Sequence, residues 1–137
     1  MQSSTRKVAL IVEEDPALQR ALSEQTARLD IDVVVARDYY SAISELEAHS
    51  PDLVVVSLLL PNESGYDLCE YIRRERAMTD VPIVVTCEGP SIEDQANAEE
   101  AGASVLLKKP FTMQEFGASV AALLDGAGPI SSAAGRT

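Results

Sequence analysis

Short apolar runs alternate with amphipathic segments along this chain. Five mainly apolar runs have the pattern of strands, and the first and third are continuous and rich in β-branched residues, as in strands that are covered on both faces. These runs lie at residues 8–12, 31–36, 53–57, 82–87 and 103–107. Each is followed by a longer segment in which apolar residues recur at helical spacing, as Leu18, Leu22 and Leu29 do after the first run. The pattern therefore predicts five strands that alternate with five helices.

Polar residues at the start of the helical segments support this assignment. The predicted caps are Asp15 ahead of Pro16, Asp38, Ser91 with Asp94, and Thr112 with Glu115. Phe111 and Phe116 occupy the two positions of a hydrophobic staple around the last cap, and Gly102 is a predicted C-terminal stop for the fourth helix. Capping chemistry and periodicity thus predict the same helices.

This alternation predicts right-handed βαβ crossovers and an all-parallel sheet. We expect an α/β flavodoxin-like three-layer sandwich, with five strands in the order 2-1-3-4-5 and five helices on the two faces. Residues 7–124 form the predicted domain, between a disordered N-terminus at 1–6 and a flexible tail or linker at 125–137. In such sheets the functional site lies beyond the carboxyl ends of the strands.

Polar residues follow several of the predicted strands at that edge. They are Glu13, Glu14 and Asp15 after the first strand, Ser57 at the end of the third, Cys87 and Glu88 after the fourth, and Lys108 and Lys109 after the fifth. These are the positions at which we expect a site.

Composition excludes several classes of function. The chain has 137 residues and a formal net charge of −11, and a surface of that sign repels nucleic acid and anionic lipid. No apolar run approaches the roughly 18 residues of a membrane span, and the polar N-terminus lacks the pattern of a signal peptide. A cytoplasmic location is expected. Cys69 and Cys87 have no CxxC or Cys/His spacing, so neither zinc nor a disulfide is predicted.

Several motifs at these positions resemble the receiver domain of bacterial two-component response regulators, over roughly residues 6–124. The motifs are VEEDP at 12–16, PDLVVV at 51–56, LLLP at 58–61, Gly65, VPIVV at 81–85, EAGA at 100–103 and KPF at 109–111. In that family two acidic residues after the first strand and an aspartate after the third hold magnesium. That aspartate attacks a phosphoryl donor, and the lysine after the fifth strand balances charge on the transferred group.

The attacking position is occupied by Ser57 in this chain. A serine hydroxyl is neutral at pH 7 and needs a base within hydrogen-bond reach. The only histidine, His49, is predicted near the end of the second helix and away from the site. The resemblance therefore implies a degenerate pseudo-receiver that lacks the phosphoacceptor aspartate, and we expect no catalytic residue and no enzymatic activity.

The other pocket residues keep their charge. Glu13 and Glu14 each add one methylene to the acidic pair, which displaces oxygens that an octahedral magnesium site requires. We expect no cofactor and no metal, with Glu13 and Glu14 as the weak candidates for a cation. Lys109 is expected to pair with Glu14, and the Lys109–Pro110 peptide is expected to be cis, as it usually is in the family.

The family's switch positions are altered too. Cys87 stands where a hydroxyl residue follows the phosphoryl group, and Leu106 stands where an aromatic residue turns inward on activation. A thiol is a weak donor, and leucine has no polar tip. Thr86 comes one residue too early to replace the hydroxyl unless a bulge shifts the register, because neighbouring strand residues point to opposite faces.

These departures favour a non-phosphorylatable module of two-component signalling that binds a protein partner. The resemblance implies that its fourth helix, fifth strand and fifth helix form the partner surface, as they do in the family. A homodimer is a further expected form of such contact. The acidic residues near that face, which suggest a basic partner patch, are Glu88, Glu93, Asp94, Glu99 and Glu100. The alternative is a response regulator phosphorylated at an atypical acceptor, either Ser57 or another residue. A small-molecule binder is disfavoured because no Gly-rich phosphate loop follows the first strand.

Overall fold

The computed structural model describes residues 6–61, 63–75, 78–88 and 92–125, without the side chains of residues 92–94. Within these residues the elements are β1 (Val8–Val12), α1 (Pro16–Ala27), β2 (Asp32–Ala36), α2 (Tyr39–Ala48), β3 (Leu53–Ser57), α3 (Gly65–Arg74), β4 (Ile83–Glu88), α4 (Ile92–Ala101), β5 (Val105–Lys109) and α5 (Met113–Leu124). The predicted alternation is confirmed. The Ser91 cap, residues 1–5 of the predicted N-terminus and residues 126–137 of the predicted tail lie outside the described residues.

The strands form one parallel sheet in the order β2-β1-β3-β4-β5, as predicted. Every residue of β3 is buried, which agrees with its unbroken apolar sequence. Leu46 of α2 and Ile72 of α3 are fully buried in the core on one face, and Leu22 of α1 and Phe116 of α5 in the core on the other. Since a fully buried side chain of this size contributes about 1.5–3 kcal/mol, both helical layers hold the sheet in place.

Capping interactions fix the ends of several helices. Asp15 accepts a backbone N–H from the first turn of α1, as predicted. The N–H of Thr112 donates to the Glu115 carboxylate at 2.8 Å, and the N–H of Glu115 donates to the Thr112 hydroxyl at 2.9 Å. The rings of Phe111 and Phe116 stack with centroids 6.2 Å apart, so the predicted box and staple both form.

β5 begins two residues later than predicted, at Val105 rather than 103. Gly102 ends α4 with a φ of +100°, the left-handed conformation that glycine adopts readily. The N–H of Ala103 still bonds to a carbonyl of α4 at 2.9 Å, so this residue completes the helix terminus instead of starting a strand. β5 also ends two residues later than predicted, so Lys108 and Lys109 lie within it.

Arg73 of α3 ties together two connections at the β4–β5 side of the sheet. Its Nε and Nη2 donate to the carbonyl of Gly102 at 3.0 and 2.7 Å. Its Nη1 donates to the carbonyls of Met78 and Val81 at 2.8 and 2.6 Å. Burial lowers the pKa of this guanidinium. The turn that follows α4 is thereby fastened to α3 by charge-assisted hydrogen bonds.

Candidate functional site

A pocket of about 430 Å³ opens at the carboxyl edge of the sheet. It is lined by Glu13, Glu14, Asp15, Pro16, Ser57, Leu59, Thr86, Cys87, Glu88 and Lys109. The fold therefore brings together the strand-end residues that the sequence singled out, with the exception of Lys108. Leu106 does not line the pocket.

Glu13 is held firmly at the bottom of this pocket. Its N–H donates to the Ala36 carbonyl at 3.0 Å, which continues the pairing of β1 with β2 by one residue. Its Oε2 accepts the Asp15 N–H at 3.0 Å, and its Oε1 lies 3.7 Å from Nζ of Lys109. The expected pairing of Lys109 with Glu14 is therefore wrong. Glu13 still follows the strand and points inward, whereas Glu14 is exposed.

Ser57 ends β3 with only 5% of its surface exposed. Its hydroxyl donates to the Leu59 carbonyl at 3.4 Å, which is longer than an ordinary O–H···O bond. In the ladder Ser57 pairs with Thr86, so the two side chains lie on the same face of the sheet. The Thr86 hydroxyl is buried and has no hydrogen-bond partner among the described residues. Two uncharged hydroxyls thus lie side by side at the centre of the site.

The switch positions, Cys87 and Leu106, lie on the opposite face of the sheet from Ser57 and Thr86. β4 pairs with β5 through five consecutive residues, so the bulge that Thr86 would need in order to replace Cys87 is not found in this ladder. Cys87 is 4% exposed and follows the alternation of β4 toward α3 and α4. Leu106 is partly buried and packs against the core on that same face. Its side chain is therefore held by apolar contacts.

The donor set can be compared with the magnesium that the family resemblance implies. Oε1 of Glu13 has no hydrogen-bond partner in the described part of the chain, but the Lys109 ammonium already lies near it and opposes a second cation. Glu14 is exposed, and Ser57 offers a neutral oxygen. Among the described residues no three His, Cys, Asp or Glu side chains are placed to share a metal ion. This set does not fit an octahedral magnesium site.

The remaining candidate residues are dispersed. Glu88, Glu99 and Glu100 are exposed around α4, and the side chains of Glu93 and Asp94 lie outside the described residues. His49 caps the C-terminus of α2 and lies 3.5 Å from a Glu45 carboxylate oxygen. It does not line the pocket. The Lys109–Pro110 peptide is cis, as the resemblance implied.

Sequence reasoning missed Leu59, which lines the pocket mouth and is 73% exposed. The signal was present, because 58–60 is an apolar run that continues past the end of β3 into a loop. The N–H of Gly65 bonds back to the Leu58 carbonyl at 2.7 Å, and an isolated bridge joins Leu59 to Ser64. This closed loop holds Leu59 at the surface.

The fold and this crevice define a doubly wound α/β protein with an acidic site beyond the carboxyl ends of its central strands. A family model described as the response regulator receiver domain matches residues 9–121. The chain belongs to the response regulator receiver domain family. No helix in the described ranges is long and apolar enough to cross a bilayer.

Curated relatives carry the same domain in longer proteins. The chain is 31% identical over 115 residues to the DNA-binding dual master transcriptional regulator RpaA of Synechocystis, covering 84% of this chain and 48% of that protein. It is 28% identical over 122 residues to the phosphate regulon transcriptional regulatory protein PhoB of Escherichia coli, covering 89% and 53%. The chain thus spans about half the length of these relatives.

Solved structures agree with the fold. A two-component response regulator from Clostridium difficile superposes with a TM-score of 0.81 at 25% identity, covering 88% of this chain and 97% of that one. A CheY-like receiver domain protein from Methanospirillum hungatei gives a TM-score of 0.82 at 20% identity, covering 89% and 96%. The second likeness concerns the fold alone.

Proposed function

We propose that this chain is a pseudo-receiver, which does not accept a phosphoryl group and acts by binding a protein partner in two-component signalling. The partner surface is the face formed by α4, β5 and α5. The domain has no enzymatic activity and no resident cofactor in this proposal, and Glu13 and Glu14 stay the weak candidates for a cation. Lys109 serves to neutralise the buried Glu13 carboxylate.

The observation that carries this proposal is the chemical state of the Ser57 hydroxyl. It is a neutral alcohol, 5% exposed, whose only described hydrogen bond goes to a backbone carbonyl. A serine nucleophile needs a base that can take its proton. The buried carboxylate of Glu13 is already bonded to a backbone N–H and ion-paired with Lys109, so it is poorly placed to serve as that base.

The switch residues support the same conclusion. Activation in this fold needs an element with two arrangements that the phosphoryl group can bias. Cys87 is buried, and Leu106 packs into the core without a polar group that could form a new bond. A phosphoryl group at Ser57 would therefore lack the residues through which its effect is usually transmitted to α5.

Charge suggests the kind of partner. Glu88, Glu99 and Glu100 are exposed near the α4–β5–α5 face, which suits a basic patch on the partner. The names of the relatives include transcriptional regulators, so control of transcription is the proposed setting. With a net charge of −11, this domain would act there through protein contacts and not through DNA.

Intact mass spectrometry after incubation with acetyl phosphate and magnesium tests the proposal. We expect no gain of phosphate on the wild-type chain, and a gain on Ser57→Asp, which restores the carboxylate and serves as the positive control. A stoichiometric, hydroxylamine-resistant phosphate on the wild type that disappears in Ser57→Ala would instead establish the alternative, an atypical serine acceptor. A phosphate that persists in Ser57→Ala would locate the acceptor elsewhere and equally contradict the proposal.

A further inference from the structure

All four tyrosines of the chain lie in α2 and α3. Three of them make consecutive edge-on contacts. The centroids of Tyr40 and Tyr39 are 5.2 Å apart with ring planes at 87°, and those of Tyr39 and Tyr71 are 6.5 Å apart at 72°. Tyr40 is 58% exposed, and the other two are half-buried. We call Tyr39, Tyr40 and Tyr71 the tyrosine surface.

Two carboxylates lie beside this surface. Glu63 lies in the loop before α3, and Asp67 lies in its first turn, one helical turn before Tyr71 on the same side of the helix. Burial raises the pKa of Tyr39, and the charges of Glu63 and Asp67 raise it further. Asp67 also raises the pKa of Glu63, mainly through a side-chain hydrogen bond between them. The ion pairs found in the described residues lie elsewhere, at Arg6–Asp32, His49–Glu45 and Lys109–Glu13. The two carboxylates thus lie beside Tyr39, whose ring contacts the exposed ring of Tyr40, and neither of them is in an ion pair among the described residues.

We propose that the tyrosine surface, together with Glu63 and Asp67, binds a basic side chain of a protein partner, with arginine preferred over lysine. A guanidinium that stacks on the Tyr40 ring would gain a cation–π contact. It would also place N–H donors toward the two carboxylates and relieve their mutual repulsion. Arginine is preferred because its planar, weakly hydrated group stacks on aromatic rings better than an ammonium does.

The tyrosine surface is distinct from the partner face proposed above, which is formed by α4, β5 and α5. α2 packs beside β1 and β2, at one edge of the sheet, whereas β5 forms the other edge. Three strands separate β2 from β5. The Tyr40 end of the tyrosine surface therefore lies away from β5, whereas α3, which carries Tyr71, packs against α4. This inference goes beyond the proposed function and does not depend on the chemistry of Ser57.

The test uses a defined peptide and the full chain. The ¹⁵N-labelled protein is titrated with acetyl-Gly-Arg-Leu-Arg-Gly-amide, and in parallel with the same peptide carrying glutamine in place of both arginines. We expect a saturable shift of amide signals at the start of α2 and in α3 with the arginine peptide, weakened by added salt because the contact is partly ionic. The glutamine peptide should bind at least about tenfold more weakly, because it can form neither the desolvated cation–π contact nor the ionic contacts with the carboxylates.

Variants locate the contact. Tyr40→Ala should weaken the arginine peptide about tenfold, and Glu63→Gln about threefold. Glu47→Gln, which removes an exposed carboxylate from the other end of α2, is the matched control and should leave the affinity unchanged. Tyr40→Leu keeps an apolar side chain against Tyr39 without the ring face, so it replaces Tyr40→Ala if that variant is unfolded.

Four results would overturn the inference. They are equal binding of the two peptides, unchanged affinity in both Tyr40 variants, shifts centred on α4 or on Lys109, and no saturation up to about 1 mM, which corresponds to only about 4 kcal/mol of binding free energy. None of these results would bear on phosphate transfer to Ser57, so they leave the proposed function to its own experiment.

Discussion

Nζ of Lys109 lies 3.7 Å from Oε1 of Glu13, and the two residues stand on β5 and at the end of β1. β3 and β4 lie between them in the sheet, so this ion pair spans the width of the site. The Glu13 side chain is 6% exposed and that of Lys109 is 21% exposed. Screening of this ion pair by solvent is therefore weak.

Removal of Lys109 should destabilise the fold. We expect Lys109→Met to lower the free energy of unfolding by about 1–3 kcal/mol, because Glu13 is left as a buried carboxylate without its cation. Lys108→Met is the control, since Lys108 is exposed on the same strand. Urea denaturation of Lys109→Met, Lys108→Met, Glu13→Gln and the double variant Glu13→Gln/Lys109→Met gives the measurement. If the loss of unfolding free energy in the double variant equals the sum of the losses in Glu13→Gln and Lys109→Met, the two charges are not coupled.

Restoring the acceptor should not restore a switch. In Ser57→Asp we expect the magnesium dissociation constant to fall about tenfold, because one carboxylate is added to the pocket. Shifts in NMR spectra with magnesium and beryllofluoride should stay near Ser57, since Cys87 and Leu106 still lack the groups that would transmit them. Ser57→Asn controls for side-chain size without charge. Shifts that extend through α5 in the aspartate variant would contradict this expectation.

Gly65 allows α3 to begin against the end of β3. A Cβ at this position would lie 2.5 Å from the Ser57 carbonyl oxygen, a backbone atom that cannot move aside. We expect Gly65→Ala to cost about 1–3 kcal/mol of unfolding free energy and to shift the Ser57 amide signal. Gly117→Ala is the matched control, because its Cβ would meet the flexible end of Gln25 instead. Equal stability of the two variants would show that the loop adapts.

The pKa of Glu63 is raised, mainly by its side-chain hydrogen bond with Asp67. The stabilising contribution of this group is complete below the ordinary glutamate pKa, where it is protonated in both states, and is lost as the pH rises through the folded pKa. Glu63→Gln stays neutral at every pH. The melting temperature of this variant, measured relative to that of the wild type, should therefore rise as the pH increases from about 4 to about 7. Glu47→Gln controls for net charge. A constant difference across this range would contradict the assignment.

The strand order and most element bounds could be predicted because the strands are mainly apolar and four of the five helices begin at a recognisable capping residue, whereas the Ser64 cap of α3 was missed. β5 differs from the prediction because Ala103, although apolar, completes the terminus of α4 through a backbone hydrogen bond. A backbone hydrogen bond of this kind cannot be predicted from the hydrophobic pattern of the side chains.

The composition of the pocket was predicted more completely than its pairings. Parallel topology places the strand ends together, which sufficed for Glu13, Ser57, Cys87 and Lys109. The choice of Glu13 over Glu14 as the partner of Lys109 depends on one further hydrogen bond from Glu13 to β2, and sequence alone does not contain it. The tyrosine surface was missed because its central contact joins Tyr39 of α2 to Tyr71 of α3, which are far apart in the sequence.

The fastening of the α4–β5 turn by Arg73 bears on the thermodynamics of recognition. Since the guanidinium donates to Gly102, Met78 and Val81 in the free domain, that end of α4 is ordered before any partner arrives. Association then requires little loss of chain entropy at this end, and complexes with the domain should form without a slow conformational phase.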